Sequence, residues 1–263
     1  MVETRRPPDP SLHLVPPSLP PLVAAFFDLD RTLVPGSSLF PLALELRRRR
    51  CMTSRRLVRL AFDQVIFGIR GEGNRSVSHV RDASLGAIRG WPRDWLLEVG
   101  RGVVEASVVP RVYPQGAFLV EGHRWAGREV YLATSAPEDY AMLISEALRM
   151  DGALGTRAEV ARGLYTGKLL GPLNRAESKA ERIAAYAAHR GIDLGRSFAY
   201  SDGISDVPML EMVGNPIAVN PDRRLRELAT RRGWPVLEFR RGSRRRPATS
   251  AAEVAAHVAN SMS

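Results

Sequence analysis

The sequence predicts an α/β fold: a doubly wound, Rossmann-like parallel sheet with a helical cap domain inserted after the first strand. Continuous apolar runs such as LVAAFFD (22–28) and SFAYSD (197–202) are typical of strands buried on both faces of a parallel sheet. In the second half of the chain such runs alternate with helical patterns, as in βαβ units. About 70 residues after the first run show only helical spacing, which indicates an inserted helical domain.

The alternation of strands and helices can be followed along the chain. The predicted strands are 22–28, 128–134, 197–202 and 216–220, with a short β-hairpin over 158–173. The predicted helices of the core are 137–150, 177–191, 205–213 and 223–234. Gly191 is expected to end the second of these helices, because glycine readily adopts the left-handed conformation that closes a helix.

The inserted segment has apolar residues at three- and four-residue spacing in four stretches: 37–50, 54–69, 76–88 and 93–109. Doubly wound sheets bind ligands beyond the C-terminal ends of their strands, so an insertion there is placed to act as a lid. The predicted boundaries are 1–21 for a disordered Pro-rich lead-in, 22–36 and 111–239 for the catalytic core, 37–110 for the helical cap, and 240–263 for a basic tail.

The net charge of +10 comes from local arginine excesses. Residues 39–109 contain 13 Arg against 7 acidic residues, and residues 222–263 contain 10 Arg against 4, so each segment nets +6. Such charge can bind nucleic acid or anionic lipid. These segments lack the interleaved aromatics of a base-stacking surface and carry no nucleic-acid motif. Solvated faces or a small anionic ligand are favoured, and no stable nucleic-acid partner is expected.

Several features favour a reducing cytoplasm as the compartment. No apolar stretch approaches the roughly 18 to 20 residues of a membrane span. Prolines follow Arg5 and Arg6 where a signal peptide would have its apolar segment. Cys51 is the single cysteine, so no internal disulfide can form. The oligomeric state is left open by the sequence.

Polar residues collect where the predicted strands end. Two carboxylates stand two positions apart in FFDLDRTLV (26–34), directly behind the first apolar run. Others follow the later strands or lie at the start of a core helix. The whole set is Asp28, Asp30, Thr134, Lys179, Asp202 and Asp206. Because the C-terminal ends of parallel strands lie along one edge of a sheet, these residues are expected to converge in one cleft.

The residue types in this set suit phosphoryl transfer. Asp28, at the strand end, is the candidate nucleophile that forms an aspartyl-phosphate. Asp30 is the candidate general acid for the leaving oxygen and then the base for the hydrolytic water. Thr134 and Lys179 would bind and neutralise the non-bridging phosphoryl oxygens, and Ser135 could share or take the role of Thr134.

Four carboxylates in one cleft call for a cation, since like charges within a few ångströms push one another toward protonation. Mg²⁺ takes oxygen ligands, needs only one or two carboxylates, and completes its octahedron with waters and substrate phosphate. Mg²⁺ is therefore the predicted cofactor. Asp202 would bind it together with Asp28 and the backbone carbonyl of Asp30, and Asp206 would orient its waters or Lys179.

The strings DLDRT (28–32), LATSAPE (132–138), ESKAER (177–182) and YSDGISDVPML (200–210) resemble the four ordered motifs of the haloacid dehalogenase superfamily. Within it the chain resembles the phosphoserine-phosphatase-like branch, subfamily IB, in which a helical cap lies between the first two motifs. Residues 214–236 also resemble that branch's closing segment, so the resemblance spans about residues 22–239. It implies the fold, a two-step phosphatase mechanism and Mg²⁺, and its site roles match those above position by position.

One residue departs from the pattern of true phosphoserine phosphatases. In that branch the residue nine positions after the nucleophile is a glutamate that meets the substrate ammonium, and here this position is Ser37. A serine cannot supply the counter-charge, so a generic small phosphomonoester is favoured over phosphoserine. The arginines of the cap suggest an acidic or multiply charged leaving group.

Two further functions are weighed beside the small-molecule phosphatase. An arginine-rich amphipathic cap could rest on anionic membrane, which would suit a lipid-phosphate phosphatase of the phosphatidylglycerophosphate type. The basic segments could instead belong to an anion- or nucleic-acid-binding protein with a vestigial site. The complete motif set disfavours the vestigial site, because a dead site would be expected to have lost at least one carboxylate.

Overall fold

The computed structural model describes residues 21–51 and 88–240. The predicted lead-in, the cap stretches 54–69 and 76–88, and the tail lie wholly or almost wholly outside these residues. Within the described part of the chain, no helix is long and apolar enough to cross a membrane.

Six parallel strands form the main sheet, in the order β3-β2-β1-β6-β7-β8. Their bounds are β1 Ala24–Phe27, β2 Glu129–Pro137, β3 Gly152–Thr156, β6 Phe198–Ser201, β7 Asn215–Val219 and β8 Val236–Leu237. All four residues of β1 are buried, as the continuous apolar run predicts. β1 lies between β2 and β6, with Phe27 opposite Leu132 on one side and Tyr200 on the other. The predicted doubly wound parallel sheet is therefore confirmed.

Helices cover both faces of this sheet. In the described residues they are α1 Leu39–Arg48, α2 Arg93–Val103, α3 Pro114–Trp125, α4 Glu138–Ala147, α5 Glu177–Arg190, α6 Val207–Glu211 and α7 Arg223–Arg232. Helices α3 and α4 pack on the face that carries Phe27, and α1 and α2 extend the same apolar cluster by packing on each other and on α4. Helices α5 to α7 pack on the face that carries Phe26. The alternation of strand side chains thus divides the apolar core into two layers around the sheet.

The two connections between the sheet and the inserted helices run side by side. After α2 the chain passes through a π-helical turn, Val104–Val108, and a 3-10 turn, Val109–Arg111. The Tyr113 amide donates to the Leu33 carbonyl at 2.9 Å, and Arg111 Nη2 donates to the Pro35 carbonyl at 2.5 Å. The chain therefore leaves the core and returns to it at nearly the same point.

The predicted hairpin is present as β4, Ala158–Ala161, and β5, Leu164–Leu169. Arg162 and Gly163 both have positive φ, 52° and 75°, as a two-residue type I′ turn requires. The tip of the hairpin contacts the start of α2, because the Arg93 amide donates to the Gly163 carbonyl at 2.9 Å. This hydrogen bond fixes the entry of α2 against the sheet domain.

Several predicted boundaries are corrected. Strand β2 does not end at Thr134 but continues to Pro137, because β3 pairs with it as far as Thr156 beyond a bulge. The helix predicted over 137–150 is shorter, beginning after the N-cap Pro137 and ending at Ala147. The helix predicted over 205–213 is a 3-10 turn followed by α6, which has Pro208 in its first turn. Helix α3 and strands β3 and β8 were not predicted.

Candidate active site

The first carboxylate of the site, that of Asp28, lies at the end of the central strand β1. Asp28 follows β1 directly, and its amide donates to the Tyr200 carbonyl of β6 at 2.9 Å. Asp202 follows β6 in the same way, so the two carboxylates stand on neighbouring strands at the same edge of the sheet. Both side chains are buried. β1 also lies where the connections turn from one side of the sheet to the other, which is where such sheets bind ligands.

Lys179 lies between two carboxylates of this cluster. Its Nζ atom is 2.9 Å from Asp28 Oδ1 and 2.9 Å from Asp206 Oδ2. The side chain reaches the site from the first turn of α5 and is only 2% exposed. The Ser201 hydroxyl donates to the same Asp206 oxygen at 2.7 Å. The structure therefore brings together three of the predicted residues from three separate motifs.

Thr32 connects Asp28 with Asp202. Its hydroxyl is 3.4 Å from Asp28 Oδ2 and 3.3 Å from Asp202 Oδ1, so these two carboxylate oxygens converge on one atom. The other oxygen of Asp202 pairs with Nε of Arg31 at 2.9 Å. Arg31 has a positive φ of 67°, uncommon for a non-glycine residue, and this turn aims its side chain back at Asp202.

Asp30 stands slightly apart from the buried cluster and is partly exposed. Its Oδ1 atom accepts a hydrogen bond from the Ser38 amide at 2.8 Å. Ser38 is the N-cap of α1, so the carboxylate faces the positive end of that helix. Ser37, the residue that departs from the phosphoserine-phosphatase pattern, immediately precedes it.

Thr134 lies inside β2 on the strand next to Asp28 and is buried, whereas Ser135 is exposed. The Thr134 hydroxyl accepts a hydrogen bond from the Ala136 amide at 3.2 Å. The Thr134 carbonyl accepts one from the Asn174 side-chain amide at 2.8 Å. Asn174 also donates to the Leu154 carbonyl at 2.8 Å, so it fixes the ends of β2 and β3 together.

The charges of the cluster perturb one another. Burial raises the pKa of Asp28, and Asp206 and Asp202 raise it further; Lys179 lowers it, but the result is still about 8. Burial also raises the pKa of Asp202, to about 6, although Arg31 opposes this. The pKa of Asp30 is raised by burial and partly restored by Ser38. Burial opposes the charge on Lys179, yet Asp206 and Asp28 outweigh it and raise the lysine pKa.

These residues fit a magnesium ion. Asp28, Asp202 and Asp206 bring three carboxyl groups together, and in the described part of the chain Lys179 and the half-exposed Arg31 form ion pairs with them. Residues 21–51 and 88–240 contain no group of three or more His, Cys, Asp or Glu arranged to hold a metal. Mg²⁺ needs fewer protein ligands, and it accepts one or two carboxylates with waters. The converging oxygens of Asp28 and Asp202 supply that number.

Three residues of the site had no role in the sequence interpretation: Thr32, Ser201 and Asn174. Thr32 and Ser201 lie inside the recognised motifs, so their positions were available, but only the structure shows which carboxylates they join. Asn174 lies outside those motifs, 40 residues from its partner Thr134, and no sequence signal marks it.

The protein thus has a doubly wound parallel sheet with a buried cluster of aspartates at one edge. A family model described as haloacid dehalogenase-like hydrolase matches residues 25–211, and the chain belongs to this family.

Several relatives of the chain are named as phosphatases. The chain is 37% identical over 218 residues to phosphoserine phosphatase SerB1 of Mycobacterium tuberculosis, covering 82% of this chain and 71% of that protein. A solved structure of a protein of unknown function from Bordetella pertussis Tohama I is 31% identical, with a TM-score of 0.73, and the match covers 82% of this chain and 98% of the other.

A structure described as a phospho-aspartyl intermediate analogue of phosphoserine phosphatase shares the fold. Its TM-score is 0.59 at 19% identity, over 86% of this chain and 97% of the other. The protein is thus a phosphatase of this family with similarity to phosphoserine phosphatases.

Proposed function

We propose that the protein hydrolyses a small phosphomonoester in a Mg²⁺-dependent reaction that passes through an aspartyl-phosphate on Asp28. One observation carries the proposal: Asp28 is buried at the end of the central strand, with Lys179 on one oxygen and Thr32 on the other, beside Asp202. A carboxylate so placed can attack an incoming phosphorus atom while its neighbours balance the charge that develops.

In the first step a carboxylate oxygen of Asp28 attacks phosphorus, and the bond from phosphorus to the leaving oxygen breaks. The leaving oxygen takes a proton from Asp30, which yields an alcohol, the aspartyl-phosphate and an ionised Asp30. The Ser38 amide occupies Oδ1 of Asp30, so Oδ2 is the oxygen that can carry the transferred proton. Lys179 and Thr134 bind the non-bridging oxygens, and Ser135 is the exposed neighbour of Thr134 in β2.

In the second step Asp30 removes a proton from a water that attacks the aspartyl-phosphate. The bond between phosphorus and Asp28 breaks, inorganic phosphate leaves, and both carboxyl groups return to their first state. Magnesium, when bound, would supply positive charge to the phosphoryl group and keep Asp28 ionised. Asp28, Asp202 and the carbonyl of Asp30 would hold it, and Asp206 would orient its waters or Lys179.

The substrate class rests on the similarity to phosphoserine phosphatases and on the residue that departs from them. Ser37 is partly buried and uncharged beside Ser38. A substrate without an ammonium group, or with an acidic leaving group, suits this position better than phosphoserine does. The assembled cluster favours an enzyme over a binding protein with a vestigial site. We propose a reducing cytoplasm as the compartment in which the enzyme acts.

The first test is the variant Asp28→Asn with an aryl phosphate. We expect turnover to be abolished, because an amide is a poor nucleophile, and we expect EDTA to abolish wild-type turnover reversibly. Asp193→Asn, in an aspartate of a 3-10 turn away from the site, is the control and should keep full activity. Appreciable phosphate release by Asp28→Asn would contradict the assignment of Asp28 as the nucleophile.

A substrate panel then separates the proposed substrate classes. The panel contains phosphoserine, acidic small phosphomonoesters and a phosphatidylglycerol phosphate presented in liposomes. We expect the highest kcat/KM for a small acidic phosphomonoester. A clear preference for the lipid would replace this proposal with hydrolysis at a membrane surface.

A further inference from the structure

We propose that Tyr140 is a positioning residue that holds the general acid Asp30 in place through the backbone of Ser38. The inference rests on the function proposed above and concerns the same site. Tyr140 lies outside the carboxylate, threonine and lysine positions of the recognised motifs. The geometry nevertheless connects it to the proton-transfer group by two consecutive hydrogen bonds.

The two hydrogen bonds involve the carbonyl and the amide of Ser38. The Tyr140 hydroxyl donates to the Ser38 carbonyl at 3.2 Å, across 102 residues of sequence. The Ser38 amide donates to Asp30 Oδ1 at 2.8 Å. Ser38 has the helical φ and ψ angles −72° and −26° at the start of α1, so its carbonyl and its amide keep a fixed relative direction. The tyrosine therefore influences where the Asp30 carboxyl group points.

Tyr140 is itself firmly placed. It is the third residue of α4, which follows β2 and hence Thr134 without a loop, and it is only 4% exposed. Its ring packs against Gly100 of α2, where a built Cβ would stand 3.4 Å from the ring. Thus Tyr140 joins three parts of the site: the strand that carries Thr134, helix α2 of the inserted segment, and the start of α1.

The test uses Tyr140→Phe, which removes the hydroxyl and keeps the ring. A general acid matters most when the leaving group is a poor one, such as an alkyl alcohol, and little for p-nitrophenolate. Since small displacements of a catalytic group cost up to about 100-fold, we expect kcat/KM to fall roughly tenfold for β-glycerol phosphate. We expect a fall of less than about twofold for p-nitrophenyl phosphate, where kcat/KM again reports the first chemical step.

Tyr165→Phe is the matched control. Tyr165 is also 4% exposed, and its hydroxyl also makes one hydrogen bond, to Asp139 Oδ2 at 2.8 Å, away from Asp30. In Tyr165→Phe, any change in kcat/KM should be the same for β-glycerol phosphate and p-nitrophenyl phosphate. A second measurement places Tyr140→Phe in an Asp30→Asn background, where we expect no further loss with β-glycerol phosphate because the positioned acid is already absent.

The outcomes separate this inference from the function on which it rests. An equal loss for both leaving groups, or no loss for either, overturns the positioning role while leaving the phosphatase intact. A full additional loss in the Asp30→Asn background also overturns it. If the wild-type protein releases no phosphate from either ester, the proposed function itself fails.

Discussion

Lys179 is the residue on which the charge balance of the buried cluster depends. It is the only lysine among the described residues that reaches the cluster, and its Nζ atom contacts one oxygen of Asp28 and one of Asp206. All three side chains are buried, so removing one partner leaves charge in a medium that solvates it poorly. The lysine therefore has a structural role in addition to its proposed role at the phosphoryl group.

The variant Lys179→Met tests this structural role. We expect it to lower the free energy of unfolding by about 3–5 kcal/mol, the usual cost of breaking a buried ion pair from one side. Asp206→Asn should relieve part of that cost, so the double variant should be less destabilised than the sum of the single variants. Urea unfolding of the four proteins in EDTA measures the coupling.

Lys168→Met is the control, because Lys168 is an exposed lysine of β5. It should change stability by less than about 0.5 kcal/mol. Simple additivity of Lys179→Met and Asp206→Asn would contradict the proposed sharing of one ammonium group by two carboxylates.

At the scale of elements, the junction of β2, α4 and β3 is packed without spare room. A Cβ atom on Gly155 would stand 2.7 Å from Glu138 Cα and 2.8 Å from the Ala136 carbonyl oxygen. Those are backbone atoms, which cannot move aside as a side chain could. Arg182 of α5 bridges the Gly155 carbonyl and Glu138, so the helix that carries Lys179 is attached to the same junction.

The variant Gly155→Ala should therefore separate β3 from the start of α4. We expect a loss of about 1–3 kcal/mol in the free energy of unfolding, the usual cost of overpacking. Gly152→Ala in the same strand is the matched control, since its added Cβ would meet only the Tyr131 ring at 3.4 Å. Denaturation of both variants gives the comparison, and equal stability would contradict the close packing at Gly155.

The elements that the sequence did not predict have weak local signals. Helix α3 buries Gly116, Leu119, Val120 and His123 but exposes Phe118 and Trp125, so its apolar residues do not form one clear stripe. β3 has the sequence GALGT, without the β-branched and aromatic run typical of strands. Its Gly155 is required by tertiary packing and weakens the local strand signal. Here tertiary contacts outweigh local propensity.

Across the whole molecule, the buried carboxylates connect proton binding, and the proposed metal binding, with stability. With a pKa of about 8 in the folded protein, Asp28 keeps a proton between about pH 4 and pH 8 that the unfolded chain has released. The folded state then binds more protons, so stability must fall as pH rises through this range. Asp202 acts in the same direction, and the raised pKa of Lys179 contributes stability that stays constant there.

The expected result is a melting temperature in EDTA that falls from about pH 5 to about pH 8. Added Mg²⁺ should raise the melting temperature more at pH 8 than at pH 5, because a cation favours the ionised carboxylates. Differential scanning calorimetry at several pH values measures both effects. In Asp28→Asn, the melting temperature measured in EDTA should fall much less between pH 5 and pH 8 than it does in the wild-type protein. An unchanged dependence of the melting temperature on pH would contradict the assignment of the proton to Asp28.

The sequence was sufficient for the parallel sheet without its edge strands β3 and β8, for the order of the motifs, and for the convergence of Asp28, Lys179, Asp202 and Asp206. Strand-end carboxylates in a parallel sheet must meet at one edge, so the convergence follows from topology alone. The sequence could not place Tyr140 against Ser38, or Asn174 against Thr134. These contacts join residues 102 and 40 positions apart, and they depend on packing that no local pattern encodes.

The paired bridges from Tyr113 to Leu33 and from Arg111 to Pro35 close the sheet domain beneath the inserted helices. Once the ends of a segment are held together, doubling its length costs only about 0.6 kcal/mol. Natural variation could therefore exchange the stretch between those bridges without disturbing the strands that carry the reacting groups. Under the proposed function, the choice of leaving group and the cleavage of its phosphate ester can then evolve as separate traits on one scaffold.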